Sequence, residues 1–230
     1  MDTLTQTLYM LFRVKRYAAW QYKSVQPYIG KRILEVGCGI GIMTRLLHSN
    51  GFVVALDYYP EYIKVIEDQF SNESRVEPVV GDICSQNILH LKRYNFDTVI
   101  CLNVLEHIEN EARVLENIYS LLQKGGKFII LVPAIPFIYG SIDRQVGHFR
   151  RYTKKDLCKK MNDSGFRIEK CFYFNFIGAL GWFISSKILN KKLIPEDQAM
   201  CVERLTPILS LCESLLKPPL GLSLIAIGSK

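Results

Sequence analysis

Short apolar runs alternate with helix-length segments through much of this 230-residue chain. Most runs are rich in Val, Ile and Leu, and they lie at 32–36, 52–57, 76–81, 96–102 and 127–132. Between them, helices are predicted at 42–50, 60–70 and 109–123. Continuous apolar strands that alternate with helices are typical of a parallel sheet covered on both faces. The alternation therefore predicts an α/β fold with a doubly wound sheet.

Outside this alternation, the chain contains further helical segments and two more strands. Helices are predicted at 6–26 and 153–162, and strands at 166–174 and 222–227. The apolar and basic sequence between these two strands is too long for a loop in a compact domain. We therefore expect one domain, with an N-terminal helical segment at 1–27, a core at 30–173 and 220–229, and a helical insertion or cap at 174–217.

Composition excludes several classes of protein. Apolar residues make up 49% of the chain and charged residues 22%, which is a globular composition. The seven cysteines form no C-x-x-C pair, so we expect neither a disulfide scaffold nor a metal site, and a cytoplasmic location. We expect no signal peptide, and the apolar stretch at 172–184 is too short to span a bilayer. The net charge of +7 is compatible with nucleic acid, anionic lipid or phosphorylated partners.

A glycine-rich turn follows the first predicted strand. Gly37, Gly39 and Gly41 alternate there, two residues after Glu35. Glycine permits a tight turn and a close approach of the backbone to a ligand, and the next helix offers free N–H groups. The dinucleotide fingerprint requires glycine at position 42, which is Ile42, so a nicotinamide cofactor is disfavoured. A glycine-rich turn without a ligand is the alternative.

Carboxylates follow the second and third predicted strands. Asp57 ends one strand and Asp82 follows the other. The carboxyl ends of parallel strands meet at the ligand-binding edge of a doubly wound sheet. Asp57 is placed to accept hydrogen bonds from two ribose hydroxyls, and Asp82 from an adenine amino group. For Asp57, a simple turn residue is the alternative.

Together, these elements resemble class I S-adenosylmethionine-dependent methyltransferases over residues 30–135. The remaining motifs are similar to a bacterial and archaeal branch found among surface-polysaccharide genes or joined to glycosyltransferases. One departure is Glu109-Asn110-Glu111, where that branch more often carries aspartates. The residues that carry the resemblance are Glu35-x-Gly37-x-Gly39-x-Gly41, Asp57, Asp82, Asn103-Val104-Leu105-Glu106-His107-Ile108, Tyr139-Gly140-Ser141-x-Asp143, Gly147-His148-x-Arg150-Arg151-Tyr152, Gly181-Trp182 and Gly221-Leu222-Ser223-Leu224-Ile225.

The resemblance implies a Rossmann-like, seven-stranded, mostly parallel sheet with an antiparallel last strand and a helical cap. It also implies S-adenosylmethionine as the cofactor, S-adenosylhomocysteine as the product and no metal. Glu35 and the glycine turn would hold the methionine half, and Asn103 would lie beside it. His107 would pack over the site, or serve packing alone. The other implied cofactor contacts are Asp57 at the ribose, Asp82 with the backbone of Ile83 at the adenine, and Tyr58.

The acceptor side is predicted from the segment around residue 148. A hydroxyl acceptor must lose a proton, and His148 is the candidate general base, with a structural histidine as the alternative. Arg150 and Arg151 adjoin it, and guanidinium groups suit phosphates and carboxylates. We therefore expect O-methylation of a small or lipid-linked, anionic saccharide or metabolite, with Tyr139 and Tyr152 as further acceptor contacts.

Other functions are compatible with parts of the sequence. Nine basic and four acidic residues between 143 and 170 are compatible with an RNA methyltransferase, but the Asn/Asp-Pro-Pro-Tyr motif of nucleobase-amine enzymes is absent at 103–106. Nucleic acid is therefore disfavoured as a partner. A non-catalytic cofactor-binding subunit is a second alternative. The insertion is expected to form a wall of the acceptor site, and its aromatic and basic residues suit a peripheral contact with the inner face of the membrane. The acceptor and the oligomeric state stay open.

Overall fold

A seven-stranded sheet forms the centre of the protein. The computed structural model describes residues 12–193, 196–216 and 218–230. The strands are β1 (Arg32–Val36), β2 (Phe52–Asp57), β3 (Val76–Val80), β4 (Phe96–Leu102), β5 (Leu122–Pro133), β6 (Arg167–Phe174) and β7 (Ser223–Ser229). Their order is β3-β2-β1-β4-β5-β7-β6, and β7 runs antiparallel to both of its neighbours. The other six strands share one direction, which confirms the predicted Rossmann-like sheet with an antiparallel last strand.

Helices cover both faces of this sheet. They are α1 (Lys15–Val25), α2 (Thr44–Leu47), α3 (Pro60–Gln69), α4 (Glu111–Leu121), α5 (Ser141–Val146), α6 (Lys154–Asp163), α7 (Phe176–Trp182) and α8 (Glu196–Leu216). A π-helical segment, Phe183–Ile188, follows α7, and a 3₁₀ helix, Gln86–Tyr94, precedes β4. Among the described helices, none has both the length and the apolar character that crossing a bilayer requires.

Three clusters of buried side chains hold the helices to the sheet, and the smallest of them packs α3 against β2 and β3. On one face, Leu34, Val99 and Phe128 of the strands pack with Ile118 of α4 and Met161 of α6. On the other face, strand residues pack with α1 and α2. Strands that are apolar on both faces need such double coverage, and this explains the continuous apolar runs in the sequence.

Helix α8 ties α1 and α7 together through two carboxylates. The Glu203 carboxylate accepts hydrogen bonds from the backbone N–H groups of Arg16 (2.8 Å) and Tyr17 (3.2 Å) at the start of α1. The Glu213 carboxylate does the same for Asn175 (2.7 Å) and Phe176 (2.9 Å) at the start of α7. The first N–H groups of a helix have no partner within the helix, and negative charge is favourable there. These contacts fix the segment after β6 onto α1.

Several predicted boundaries differ from the structure. The helix predicted at 42–50 is only Thr44–Leu47, because the glycine turn continues through residue 43. The helix predicted at 109–123 begins at Glu111, because the Asn110 side chain caps it by accepting from the Arg113 N–H. Residues 6–11 of the first predicted helix lie outside the described residues. Helix α5 and the 3₁₀ helix before β4 were not predicted, and both are short or irregular.

Substitution of Trp20 tests how much the α1 face contributes to stability. The Trp20 ring is 8% exposed and packs 4.4 Å, centroid to centroid, from the Phe174 ring of β6. Trp20→Ala should lower the free energy of unfolding by about 3–5 kcal/mol through lost burial and a residual cavity. Urea denaturation followed by circular dichroism measures this. Lys23→Ala, on the exposed side of α1, should change it by less than about 0.5 kcal/mol.

Candidate active site

The glycine turn lies where β1 ends, at the carboxyl edge of the sheet. Gly37, Gly39 and Gly41 all have positive φ, of +72°, +52° and +83°. A Cβ atom on Gly37 would lie 2.3 Å from Cγ2 of Val104, so that position admits no side chain. The turn is tied to β2, because the Gly37 N–H donates to the Leu56 carbonyl at 2.8 Å. The turn is therefore bonded to β2 and packs closely against the segment that follows β4.

Two buried carboxylates flank this turn. Asp57 accepts the Gly39 N–H at 2.8 Å through Oδ2 and the Tyr59 N–H at 3.0 Å through Oδ1. Glu35 accepts the Thr44 hydroxyl at 2.6 Å. Burial raises the pKa of Glu35 to about 8. The charge of Asp57 raises this pKa further, while the hydrogen bond from Thr44 lowers it. Burial also raises the pKa of Asp57. Glu35 therefore holds a proton at neutral pH, and a cationic ligand bound beside these two carboxyls would favour its release.

The remaining residues predicted to bind cofactor lie on neighbouring strand ends. Asp82 is exposed and accepts the Cys84 N–H at 2.8 Å, and the Ile83 carbonyl accepts the Asn117 side-chain amide at 2.7 Å. Tyr58 is 65% exposed beside Asp57. Asn103 has a φ of +55°, and its N–H donates to the Leu131 carbonyl at 2.9 Å. All four residues follow β2, β3 or β4 at the edge that carries the glycine turn.

Asp143 joins the loop after β5 to the rest of the site. Its Oδ1 accepts from Nδ1 of His148 and from Nε of Arg151, each at 2.8 Å. Its Oδ2 accepts from the Gly140 N–H at 3.0 Å and from the indole N–H of Trp182 at 3.1 Å. Burial alone would raise the pKa of Asp143, but the hydrogen bond from His148 and the charge of Arg151 outweigh it and lower the pKa. A charged, fully bonded Asp143 therefore orients the His148 ring.

A second cluster lies directly against His148. The His107 and His148 rings meet edge to face, with centroids 4.8 Å apart, and Oε1 of Glu106 is 3.9 Å from Nε2 of His148. Glu106 is fully buried, and neither of its carboxylate oxygens has a hydrogen-bond partner among the described residues. Burial raises the pKa of Glu106 to about 8. Burial, together with the nearby His148, lowers the pKa of His107 to about 4. The side chains of Glu106, His107 and His148, each with an atom that can bind a cation or a proton, therefore lie close together.

Comparison with known proteins agrees with this architecture. Residues 34–130 match a protein family described as a methyltransferase domain. The ubiquinone biosynthesis O-methyltransferase of Xanthomonas euvesicatoria is 27% identical over 159 residues, which cover 61% of this chain and 64% of that protein. The protein of the same name from Xylella fastidiosa is 30% identical over 110 residues, or 45% of this chain and 42% of that protein. The matched segment, residues 34–130, is thus similar to methyltransferase domains, and it contains the glycine turn, Asp57 and Asp82.

Solved structures extend the likeness of the fold to nearly the whole chain. An S-adenosylmethionine-dependent methyltransferase from Mesorhizobium loti aligns with a TM-score of 0.60 and 18% identity, covering 91% of this chain and 96% of that one. One from Archaeoglobus fulgidus aligns with a TM-score of 0.60 and 18% identity, covering 94% of both chains. The chain spans less than two thirds of the length of the curated relatives named above.

The residues predicted to contact the acceptor have internal partners. Arg151 is buried and paired with Asp143, and Arg150 contacts Glu111 at 2.7 Å. Tyr152 is also buried, and its hydroxyl donates to Glu111 at 2.5 Å. The Tyr139 hydroxyl donates to the His148 carbonyl at 2.8 Å. These contacts build the loop that presents His148, while direct contact of the four residues with an acceptor stays a prediction.

Sequence reasoning missed two residues of this arrangement. Asp143 and Glu106 lay within the motifs that carried the resemblance, but neither was expected to act in the site. Asp143 contacts Trp182 from a distant segment, and Glu106 meets His148 only in the folded chain. The available signal was the spacing of an acid five residues before the candidate base.

The pH dependence of stability tests the buried carboxyl of Glu35. Its pKa lies near 8 in the folded chain, above its ordinary value of 4.5, so the folded state holds a proton that the unfolded state releases. Stability should therefore fall as pH rises from about 4.5 to about 8. Glu35→Gln removes this titration and can still accept the Thr44 hydroxyl, so its melting temperature should fall less between pH 5.5 and pH 8. An exposed control, Glu67→Gln, should retain the wild-type slope.

Proposed function

We propose that this chain transfers a methyl group from S-adenosylmethionine to a hydroxyl oxygen of a small or lipid-linked acceptor. One observation carries the proposal: the glycine turn bonded to Asp57 and the Asp143–His148 pair stand at the same edge of one sheet. The first arrangement suits a nucleoside with a cationic amino-acid tail. The second suits removal of a hydroxyl proton. The relatives named as O-methyltransferases support oxygen as the site of transfer.

On the cofactor side, the protein supplies orientation and a dry environment. Methyl transfer from a sulfonium is an in-line displacement whose electrophile is already activated by its charge. We propose that Asp57 accepts hydrogen bonds from the ribose hydroxyls and that Asp82 and Ile83 bind the adenine. Glu35, the glycine turn and Asn103 would then bind the methionine half, with Tyr58 and His107 covering it. An ammonium group of the cofactor beside Glu35 would favour release of the proton that this buried carboxyl otherwise holds.

On the acceptor side, His148 acts on the proton that a hydroxyl must release. Its Nδ1 donates to Asp143, and therefore Nε2 is the nitrogen with a free lone pair. The segment after β6 supports the predicted wall of the acceptor site, because Trp182 and the π-helical segment contact the loop that carries His148. Ser141 of α5 donates to the Ser186 carbonyl at 2.8 Å, and the Ser186 hydroxyl accepts the Ile142 N–H at 3.1 Å.

An exposed apolar surface supports delivery of the acceptor from a membrane. On α8, the side chains that face the protein include Thr206 and Glu213, while the outward side is mainly apolar apart from Arg204 and Ser214. Lysines at 187, 191 and 192 lie at its border, as an anionic bilayer would require. This surface comprises Ile177, Leu180, Ile184, Ile188, Leu189, Leu205, Ile208, Leu211, Leu215 and Leu216, each of which is 47–77% exposed except Leu205 at 43%. We propose peripheral attachment at the cytoplasmic face.

Cofactor binding is tested first at Asp57. Asp57→Ala should weaken binding of S-adenosylhomocysteine by about 1–3 kcal/mol, because ribose hydroxyls and the Gly39 N–H lose their acceptor. Isothermal titration calorimetry measures the affinity. Asp68→Ala, on the exposed side of α3, provides the matched control and should bind as the wild type does. Equal affinity of the wild type and Asp57→Ala for S-adenosylhomocysteine would contradict the proposed cofactor site.

The proposed O-methylation is tested by turnover. A panel of hydroxylated acceptors, scored by S-adenosylhomocysteine release, should contain a substrate for the wild type. With that substrate, His148→Asn should lower kcat by about 10²–10⁴-fold, the usual contribution of a group that moves a proton. Its cofactor affinity should stay within a few fold of wild type. His90→Asn, on the exposed 3₁₀ helix, should be fully active. Unchanged kcat in His148→Asn would contradict the assigned role.

Membrane attachment is tested with vesicles that contain anionic lipid. The double variant Leu211→Glu/Leu215→Glu should lower the partition coefficient by more than about tenfold, since each buried leucine contributes about 1.5–3 kcal/mol. Its melting temperature should be close to that of the wild type, because both side chains are exposed. Asn72→Glu/Ser74→Glu adds the same charge at the exposed loop before β3 and should sediment with vesicles as the wild type does. Equal loss of sedimentation in both variants would indicate a charge effect without a specific surface.

A further inference from the structure

Glu106, His107 and His148 form a group of ligand atoms around one point. One ligand atom from each of these residues lies within 4.8 Å of the other two. Both oxygens of the fully buried Glu106 carboxylate lack a hydrogen-bond partner among the described residues. A buried carboxylate without a partner is costly unless a cation or a proton compensates it. We infer that these three residues bind a divalent transition-metal ion next to the cofactor site.

The surroundings of both histidines fit this role. Histidines that bind a metal usually donate their second ring N–H to a carboxylate or a backbone carbonyl. The Nδ1 of His148 is bonded to Asp143 at 2.8 Å, which leaves Nε2 facing Glu106. The His107 ring forms a hydrogen bond with the backbone of Gly147. Asp143 therefore fixes the His148 ring with Nε2 towards Glu106, and Gly147 lies beside the His107 ring.

The donor set indicates the class of ion. Two imidazoles and one carboxylate suit zinc, iron, cobalt or nickel better than magnesium or calcium, which prefer oxygen donors. Three protein ligands leave at least one position open, as in catalytic sites. Ligand atoms around a tetrahedral zinc ion lie about 3.4 Å apart, given bonds of about 2.1 Å. The 3.9 Å between Glu106 and His148 is close to this spacing, so a small rotation of side chains completes the site.

The cluster lies close to the proposed cofactor site, so the ion can activate the acceptor hydroxyl. This role of the ion rests on the proposed function. Val104, which fills the space beside Gly37, is two residues before Glu106. A hydroxyl bound at the open position would lose its proton to water more readily, because a divalent cation lowers the pKa of a bound hydroxyl. Its oxygen then forms the new C–O bond as the C–S bond of the cofactor breaks. Where the ion is bound, His148 is one of its ligands and the acceptor proton leaves to water, so this role replaces that of the general base proposed above.

Binding of Co²⁺ tests the site without relying on activity. Protein treated with a chelator and then dialysed should bind one Co²⁺ per chain and gain the visible absorption of ligated cobalt, and Zn²⁺ should displace it. Glu106→Gln and His148→Asn should each lower Co²⁺ affinity by at least about tenfold, and Asp143→Asn by about 10–100-fold. His90→Asn and His48→Asn remove the chain's other two histidines and should bind as the wild type does. Thermal melts establish that each variant is folded.

The outcomes separate this site from the proposed function. Absence of stoichiometric Co²⁺ binding, or equal binding by wild type and all folded cluster variants, overturns the metal site. Methyl transfer at the full rate by metal-free protein in chelator overturns its role in the reaction, while the proposed methyl transfer stands. Stoichiometric binding at the cluster without any affinity for S-adenosylmethionine supports the metal site, although the proposed function then fails.

Discussion

The carboxylate of Asp143 is the interaction on which the proposed acceptor side of the site depends. It is buried, and it receives hydrogen bonds from an imidazole, a guanidinium, a backbone N–H and an indole. Four donors and the charge of Arg151 compensate the cost of removing it from water. Because those donors come from the loop after β5 and from α7, one buried charge fixes both segments against each other. The same carboxylate sets the tautomer of His148, so loop position and site chemistry are determined together.

The cofactor side is built by a different principle, in which the backbone matters more than side chains. Three glycines in the left-handed region allow the chain to turn sharply after β1, and Asp57 and Leu56 of the next strand hold that turn by its N–H groups. Val104 packs into the space that a side chain on Gly37 would need. The two halves of the site therefore meet at the segment after β4, where Val104 supports the turn and Glu106 and His107 face His148. A change in this short segment would affect both halves.

Sequence patterns predicted the sheet better than the helices or the loop chemistry. Strands such as Arg32–Val36 and Phe52–Asp57 match their predicted bounds, because double coverage by helices leaves a continuous apolar run. Gln86–Tyr94 is a 3₁₀ helix, which lacks the 3.6-residue period that reveals an α-helix. Strand ends placed the predicted cofactor residues along one edge. The ion pairs of Arg150 and Arg151 could not be predicted, because their partners Glu111 and Asp143 come close to them only in the folded chain.

The position of β7 between β5 and β6 determines the order in which the sheet can be completed. Strand β6 pairs only with β7 among the described strands, so it has no place in the sheet until residues 223–229 have entered beside β5. Between β6 and β7 the chain must also form α7 and α8, which makes this a slow, non-local closure. The five parallel strands β1 to β5 on their own include the glycine turn and Asp57. The half that carries the cofactor residues can thus assemble before the half that completes the sheet.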